Sequence, residues 1–353
     1  MITTFKSELC MRSWRQILLL SSVLVLPAVF LQAGCKSDSE RARRNLDELG
    51  VRYSKASFFD RIKRGDRRVV ELFLESGMGA NTINSKGKSA LVVAVRAAEK
   101  DIVELLLEKG ANPNGRDRRE EEEGWTDVKN LGNSPLEAAH WSYVYAKESS
   151  NTMLKTKYYA IAELLLNKGA RVDIESKTGN TLLSNAAPML ETDLINLYLK
   201  FGADVNHVGG GGETALTTVF RGPTTTGKSG KKVEVIQRLL KAGADVNHQN
   251  ERGQTALMMA LPSETKVIKL LLEHGANPSV ENKKGNTALL QTLKTSVSLD
   301  GSPGDKEGLK SKKALILARN GADVSEAVDY LQKEGYQDFA QKVMRASRSS
   351  SKY

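Results

Sequence analysis

The eight residues from Gly222 to Ser229, GPTTTGKS, satisfy the phosphate-loop pattern G-x-x-x-x-G-K-[ST] letter for letter. In such a loop the backbone amides cradle phosphates, and Lys228 and Ser229 would serve as phosphate and magnesium ligands. That chemistry needs a buried strand before the loop and a helix after it. Here LTTVF from Leu216 occupies a short-helix position. Neither a second acidic magnesium ligand nor a base-recognition site can be identified, so a Gly/Thr/Lys turn is the favoured reading. An NTPase using Gly222–Ser229 is kept as the least favoured alternative.

The other chemistry-bearing residues are sparse. His207 and His248 each follow GADVN, so they hold equivalent places and could face each other, yet a metal would need further ligands. His140 and His274 are isolated. No nucleophile has the setting of a triad, and the acidic run Glu120 to Glu123, behind Arg116, Arg118 and Arg119, reads as a solvated tip. These residues imply no catalytic group, no cofactor, no metal and no small-molecule substrate. Aromatic side chains are more telling, because Trp125, Trp141, Tyr143, Tyr145, Tyr158 and Tyr159 crowd into one part of a chain that is only 6% aromatic. Trp and Tyr give large contact area at low entropy cost. We therefore take Trp125, Trp141, Tyr143 and Tyr145 as candidate protein-binding residues, and expect Tyr158 and Tyr159 to pack internally.

Residues 1–34 carry a second kind of signal. Ile17 to Leu31, ILLLSSVLVLPAVFL, is an apolar run behind Arg12 and Arg15, the pattern of a secretory signal peptide. It is short for a permanent span, which takes roughly 20 apolar residues. The junction LQAGC, Leu31 to Cys35, is similar to the lipobox of bacterial lipoproteins, and that resemblance implies a lipid on Cys35. Gln32 departs from the lipobox preference for Leu at its place. Met11 offers an alternative start. Cys10 and Cys35 are the only cysteines, so the repeats contain no thiol, and zinc-finger and thiol chemistry are excluded there. Losing Lys6, Glu8, Arg12 and Arg15 takes the formal charge from +10 to +8, which favours anionic partners. No helix-turn-helix or aromatic sheet motif turns that charge toward nucleic acid.

What must position these residues is a repeat. The starts GKSAL, GNSPL, GNTLL, GETAL, GQTAL and GNTAL, at Gly87, Gly132, Gly179, Gly212, Gly253 and Gly285, interleave with the stops. The stops are GANPN, GARVD, GADVN twice, GANPS and GADVS, at Gly110, Gly169, Gly202, Gly243, Gly275 and Gly321. Gly169, Gly202, Gly243 and Gly275 each stand twelve residues before a Thr, and Gly77 stands twelve before Ser89, making Gly77 rather than Gly79 the first stop. Within a unit the hydroxyl caps a helix, a second helix follows, and a left-handed Gly ends it. Two such helices cannot bury their apolar stripes alone, so the units must stack.

This pattern resembles the ankyrin repeat family, whose period is near 33 residues. The resemblance covers residues 56–325 and implies an all-α solenoid of about seven helix-pair units with hairpin-like fingers. The family's Thr-Pro-Leu-His segment keeps its hydroxyl and Leu here. Its histidine is replaced by Val92, Glu137, Ser184, Thr217, Met258 and Leu290, which suggests units held more by apolar packing. Around the repeats we expect a polar tether over 35–55 that turns helical around RARRNLDEL, helical caps, the C-terminal one over 326–347, and a disordered tail over 348–353. Units three, five and seven carry insertions between their paired helices. By resemblance, the function is non-enzymatic binding of an envelope or secreted protein. The membrane would be reached through the Cys35 lipid, most simply the outer membrane facing the periplasm, with plain secretion the alternative. Electrostatic adhesion to an anionic envelope polymer is the second functional alternative.

Overall fold

Most units open where a side-chain hydroxyl captures a backbone amide. Ser89 accepts from Val92 N at 3.2 Å, Thr181 from Ser184 N at 3.4 Å, Thr255 from Met258 N at 3.4 Å and Thr287 from Leu290 N at 3.2 Å. The structure, a computed structural model, describes residues 38–117, 133–148, 151–222, 229–294 and 306–349. The leader with Cys35, Trp125, and residues 350–353 of the expected tail lie outside the described residues.

Among the described residues, helix α1, Asp38–Glu48, precedes eight helix pairs. The first four pairs are α2 Lys55–Lys63 with α3 Arg67–Glu75, α4 Ala90–Arg96 with α5 Lys100–Glu108, α6 Pro135–Glu148 with α7 Thr152–Asn167, and α8 Leu182–Met189 with α9 Thr192–Lys200. Then come α10 Ala215–Thr218 with α11 Ser229–Lys241, α12 Ala256–Met259 with α13 Thr265–Glu273, and α14 Ala288–Lys294 with α15 Lys306–Arg319. The closing pair is α16 Ser325–Lys333 and α17 Gln337–Arg348. Through most of the stack first helices pack on first helices and second on second. The core is a continuous row of Leu, Ile, Val and Ala from Leu46 to Ala346. The only bridge among the described residues joins Ile83 to Ser89, so the all-helical expectation holds there. Gly77 has φ of +98° and ends α3 as a stop, whereas Gly79 has no such conformation.

The fingers are joined by a polar ladder. Asn81 donates to Gly110 O at 3.0 Å and accepts from Asn112 N at 2.8 Å. Asn114, Asn206 and Asn247 repeat this with Gly169, Gly243 and Gly275, and Ser279 does so with Gly321. The rung at Asp173 is incomplete. Its carboxylate accepts from Asp204 N at 3.1 Å, but a carboxylate has no N–H to offer the Gly202 carbonyl.

Three features differ from expectation. The helix expected in the tether forms over Asp38–Glu48 but is docked on the stack, because Ala42 and Leu46 fall at i, i+4 and bury their side chains against α3. Arg43 stacks on Tyr53, and both reach the Ser76 carbonyl. Unit three absorbs its insertion by lengthening helices to 14 and 16 residues, so only residues 149–151 separate α6 from α7 in sequence. The lost family histidine is partly compensated by polar caps: Ser134 pairs reciprocally with Glu137, and the Thr217 hydroxyl accepts from the Thr214 amide and donates to the Thr214 carbonyl. Val92, Met258 and Leu290 are buried instead, as apolar packing predicts.

Candidate protein-interaction surface

Helix α6 carries three of the four candidate residues, and its geometry divides them. Trp141 and Tyr145 are i, i+4 neighbours that line one hollow of about 460 Å³ together with Arg96, Asn133, Ala138 and Ser142. Tyr145 is 63% exposed and Trp141 half-buried. Arg96 is exposed and comes from the preceding repeat, so the hollow spans the seam between units two and three. The Tyr158 hydroxyl donates to the Arg96 carbonyl at 3.0 Å and fixes the far wall. Spacing alone could not reveal Arg96, since only the stacking of α4 on α6 brings it beside the rings.

Tyr143 leaves the set of contact residues. One position in three on a helix turns inward, and Tyr143 is only 1% exposed. Its hydroxyl donates to Asp193 Oδ2 at 2.9 Å, and the Lys155 ammonium lies 4.8 Å from its ring and 3.3 Å from the same carboxylate. Burial and the Asp193 hydrogen bond push the Tyr143 phenol well above its ordinary range. Partial burial would raise the Asp193 carboxyl, but the bonds from Tyr143 and Lys155 hold it below the usual value. Tyr143 thus ties unit three to unit four.

His140 strengthens the same junction. Its Nδ1 lies 2.9 Å from the buried Tyr198 hydroxyl, while Nε2 has no hydrogen-bond partner among the described residues. Burial lowers its pKa from 6.5 to about 4, so the ring is neutral near pH 7. His207 and His248 do not converge on a shared metal position. Each Nε2 donates to a glycine carbonyl of the preceding finger, Gly179 at 2.9 Å and Gly212 at 2.8 Å, which is the repeat-equivalent role. No group of three potential metal ligands occurs among the described residues.

The phosphate-loop pattern follows helix α10 and a 3₁₀ turn, Val219–Arg221, instead of a strand. Residues 223–228, including Lys228, lie outside the described residues. Gly222 sits where an added Cβ would stand 2.2 Å from the Pro188 carbonyl, so its glycine is accounted for by packing.

With this geometry in hand, similarities to known proteins fall into place. The family model for ankyrin repeats (3 copies) matches residues 61–141 and 227–296. An ankyrin repeat domain from Acinetobacter baumannii AYE aligns with a TM-score of 0.50 at 26% identity, covering 64% of this chain and 100% of that one. The human ASB11 ankyrin repeat domain aligns at 21% identity and a TM-score of 0.47, over 72% and 96% of the two chains. Among curated proteins, similarity is found to an L-asparaginase of Dirofilaria immitis, 27% identical over 43% of this chain and 21% of the relative. Protein HOS4 of Saccharomyces cerevisiae is 38% identical over 20% of this chain and 7% of its own length. Potassium channel AKT2/3 of Arabidopsis thaliana is 26% identical over 41% and 19%. The chain thus spans about a fifth or less of the curated relatives it matches. The fold is an ankyrin-repeat solenoid, and ankyrin repeats are generally a protein-interaction fold.

Proposed function

We propose that this chain is a membrane-tethered, non-enzymatic module that binds another protein in the bacterial cell envelope. The observation that carries the reading is the hollow at the seam of units two and three, where Arg96, Trp141 and Tyr145 stand together on rigid helices. Aromatic rings beside an arginine are the residue types that dominate interface energetics. Anchoring rests on the LQAGC junction: lipid on Cys35 would hold the repeats at a membrane, on this reading the outer membrane facing the periplasm. No helix among the described residues is long and apolar enough to cross a membrane.

The test is capture of a partner by chemical crosslinking in the native envelope. Replacing both Trp141 and Tyr145 by Ala should weaken that capture by at least about tenfold while the melting profile is retained. Undiminished capture would remove this hollow from the account. A Cys35→Ala form should leave the membrane fraction, and its persistence there would refute lipid anchoring.

A further inference from the structure

Two adjoining hollows lie on the finger side of units four to seven, farther along the stack from the aromatic one. The larger, about 610 Å³, is walled by Arg252, Lys283, Lys284 and Lys294. The smaller, about 450 Å³, shares Glu251 and Arg252 with it and ends at Arg221. The fingers that carry them are fastened edge to edge, because Glu251 N donates to Gly211 O at 3.0 Å and Lys283 N to Arg252 O at 3.1 Å. Only glycine permits that approach. Gly212 and Gly253 have φ of +70° and +72°, and a Cβ on either would stand 2.7 Å from a neighbouring backbone nitrogen. The tips are further fixed by Asn250, which accepts from Arg252 N at 2.9 Å, and by Asn282, which accepts from Lys284 N at 2.8 Å.

Charge on this rigid frame is unevenly neutralised. Arg221 is held by the buried Glu213 carboxylate, and Lys294 bonds to the Asn286 amide oxygen at 2.7 Å. Arg252, Lys283 and Lys284 are exposed and have no carboxylate within ion-pair distance among the described residues. Cations projecting from a fixed backbone on a concave wall attract and orient a negatively charged chain, with the ordering cost confined to their side chains.

Resting on the protein-binding reading above, we propose that this groove takes an extended acidic segment of a partner protein. Carboxylates would pair with Arg252, Lys283 and Lys284, and peptide groups with the amides of Gln254 and Asn286. Two observations favour a peptide over a phosphate polymer or nucleic acid. Glu251 stands in the wall shared by the two hollows and repels a continuous polyanion, and no aromatic ring lines either hollow for base stacking.

The experiment is a titration of the full chain with a labelled peptide of alternating Glu and Gly, with an alternating Gln and Gly peptide and inorganic polyphosphate as the other probes. The acidic peptide should bind, weaken with added salt, and lose about tenfold in affinity in Arg252→Ala/Lys284→Ala, while Trp141→Ala/Tyr145→Ala binds it as the parent does. An unchanged melting profile would show that the groove variant is folded. Equal binding of the Gln peptide, no binding of the Glu peptide, or an unaffected groove variant would each overturn the proposal. So would polyphosphate binding more tightly than the peptide. None of these outcomes bears on the aromatic hollow, whose own double variant tests it separately.

Discussion

Units one to four and the finger side of units five to seven share one fold but use positive charge differently. In the first region many cations are matched to carboxylates: Arg61 to Asp66 at 2.7 Å, Arg64 to Asp60 at 2.9 Å, Arg116 to Glu137 at 3.5 Å. Several pairs cross from one repeat to the next, as Lys88 to Asp117, Lys155 to Asp193 and Lys200 to Glu163 do. In the second region Arg252, Lys283 and Lys284 face outward without such partners among the described residues. Exposed pairs contribute little stability each, typically about 0–1 kcal/mol, so the matched charges neutralise and align the repeats while apolar packing holds them. A solenoid can therefore change what it displays without changing what it buries.

The largest expected effect tests how far the first region depends on inward side chains. Tyr143→Ala should cost about 3–5 kcal/mol in chemical denaturation, against about 0.5 kcal/mol or less for Tyr145→Ala two positions along. Similar losses for the two would erase the distinction between tie and display.

Acid should separate the regions next. The His140 pKa is 6.5 in the unfolded chain and about 4 when folded, so between those values the unfolded chain holds the extra proton. Its contribution is whole above pH 6.5 and fades as pH falls toward 4, a loss of about 3 kcal/mol on the linkage relation. Glu213, in unit five, acts later. Burial alone would raise its carboxyl, but bonds from Thr217, Arg221 and Asn250 hold it below 4.5, so its contribution is lost only as pH drops beneath that value. Amide exchange at pH 5 should thus loosen units three and four before unit five. Simultaneous loosening would contradict the regional difference.

The smallest effect concerns the broken rung. Asp173→Asn supplies the N–H that the Gly202 carbonyl lacks and should raise stability by about 0.5–1.5 kcal/mol in the same denaturation assay. No gain would mean that solvent already satisfies that carbonyl.

Much of this architecture was legible because ankyrin-like stacking writes itself locally: a hydroxyl at each start, a glycine at each stop, and apolar stripes between. Those signals placed Ser89, Thr255, Gly77 and Gly275 correctly. The helical run around Arg41–Leu49 is legible, but its docking is not, because Ala42 and Leu46 are thin apolar marks within a charged run and only the presence of α3 makes them core. At the site, the i, i+4 spacing of Trp141 and Tyr145 was readable. The inward turn of Tyr143 was not, since Asp193 and Lys155 lie in other helices of the stack. Nor was the grouping of Arg252 with Lys283 and Lys284, which comes from finger-to-finger bonds between distant glycines.

The central claim is that the rim at units two and three meets another protein. A photoreactive residue placed at position 145 of the intact chain in its native envelope tests this most directly, with position 241 on the second-helix side as control. A discrete protein adduct from 145, absent from 241 and lost when Arg96 is replaced by Ala, is the predicted result. No adduct from 145, or the same adduct from both positions, would contradict the account.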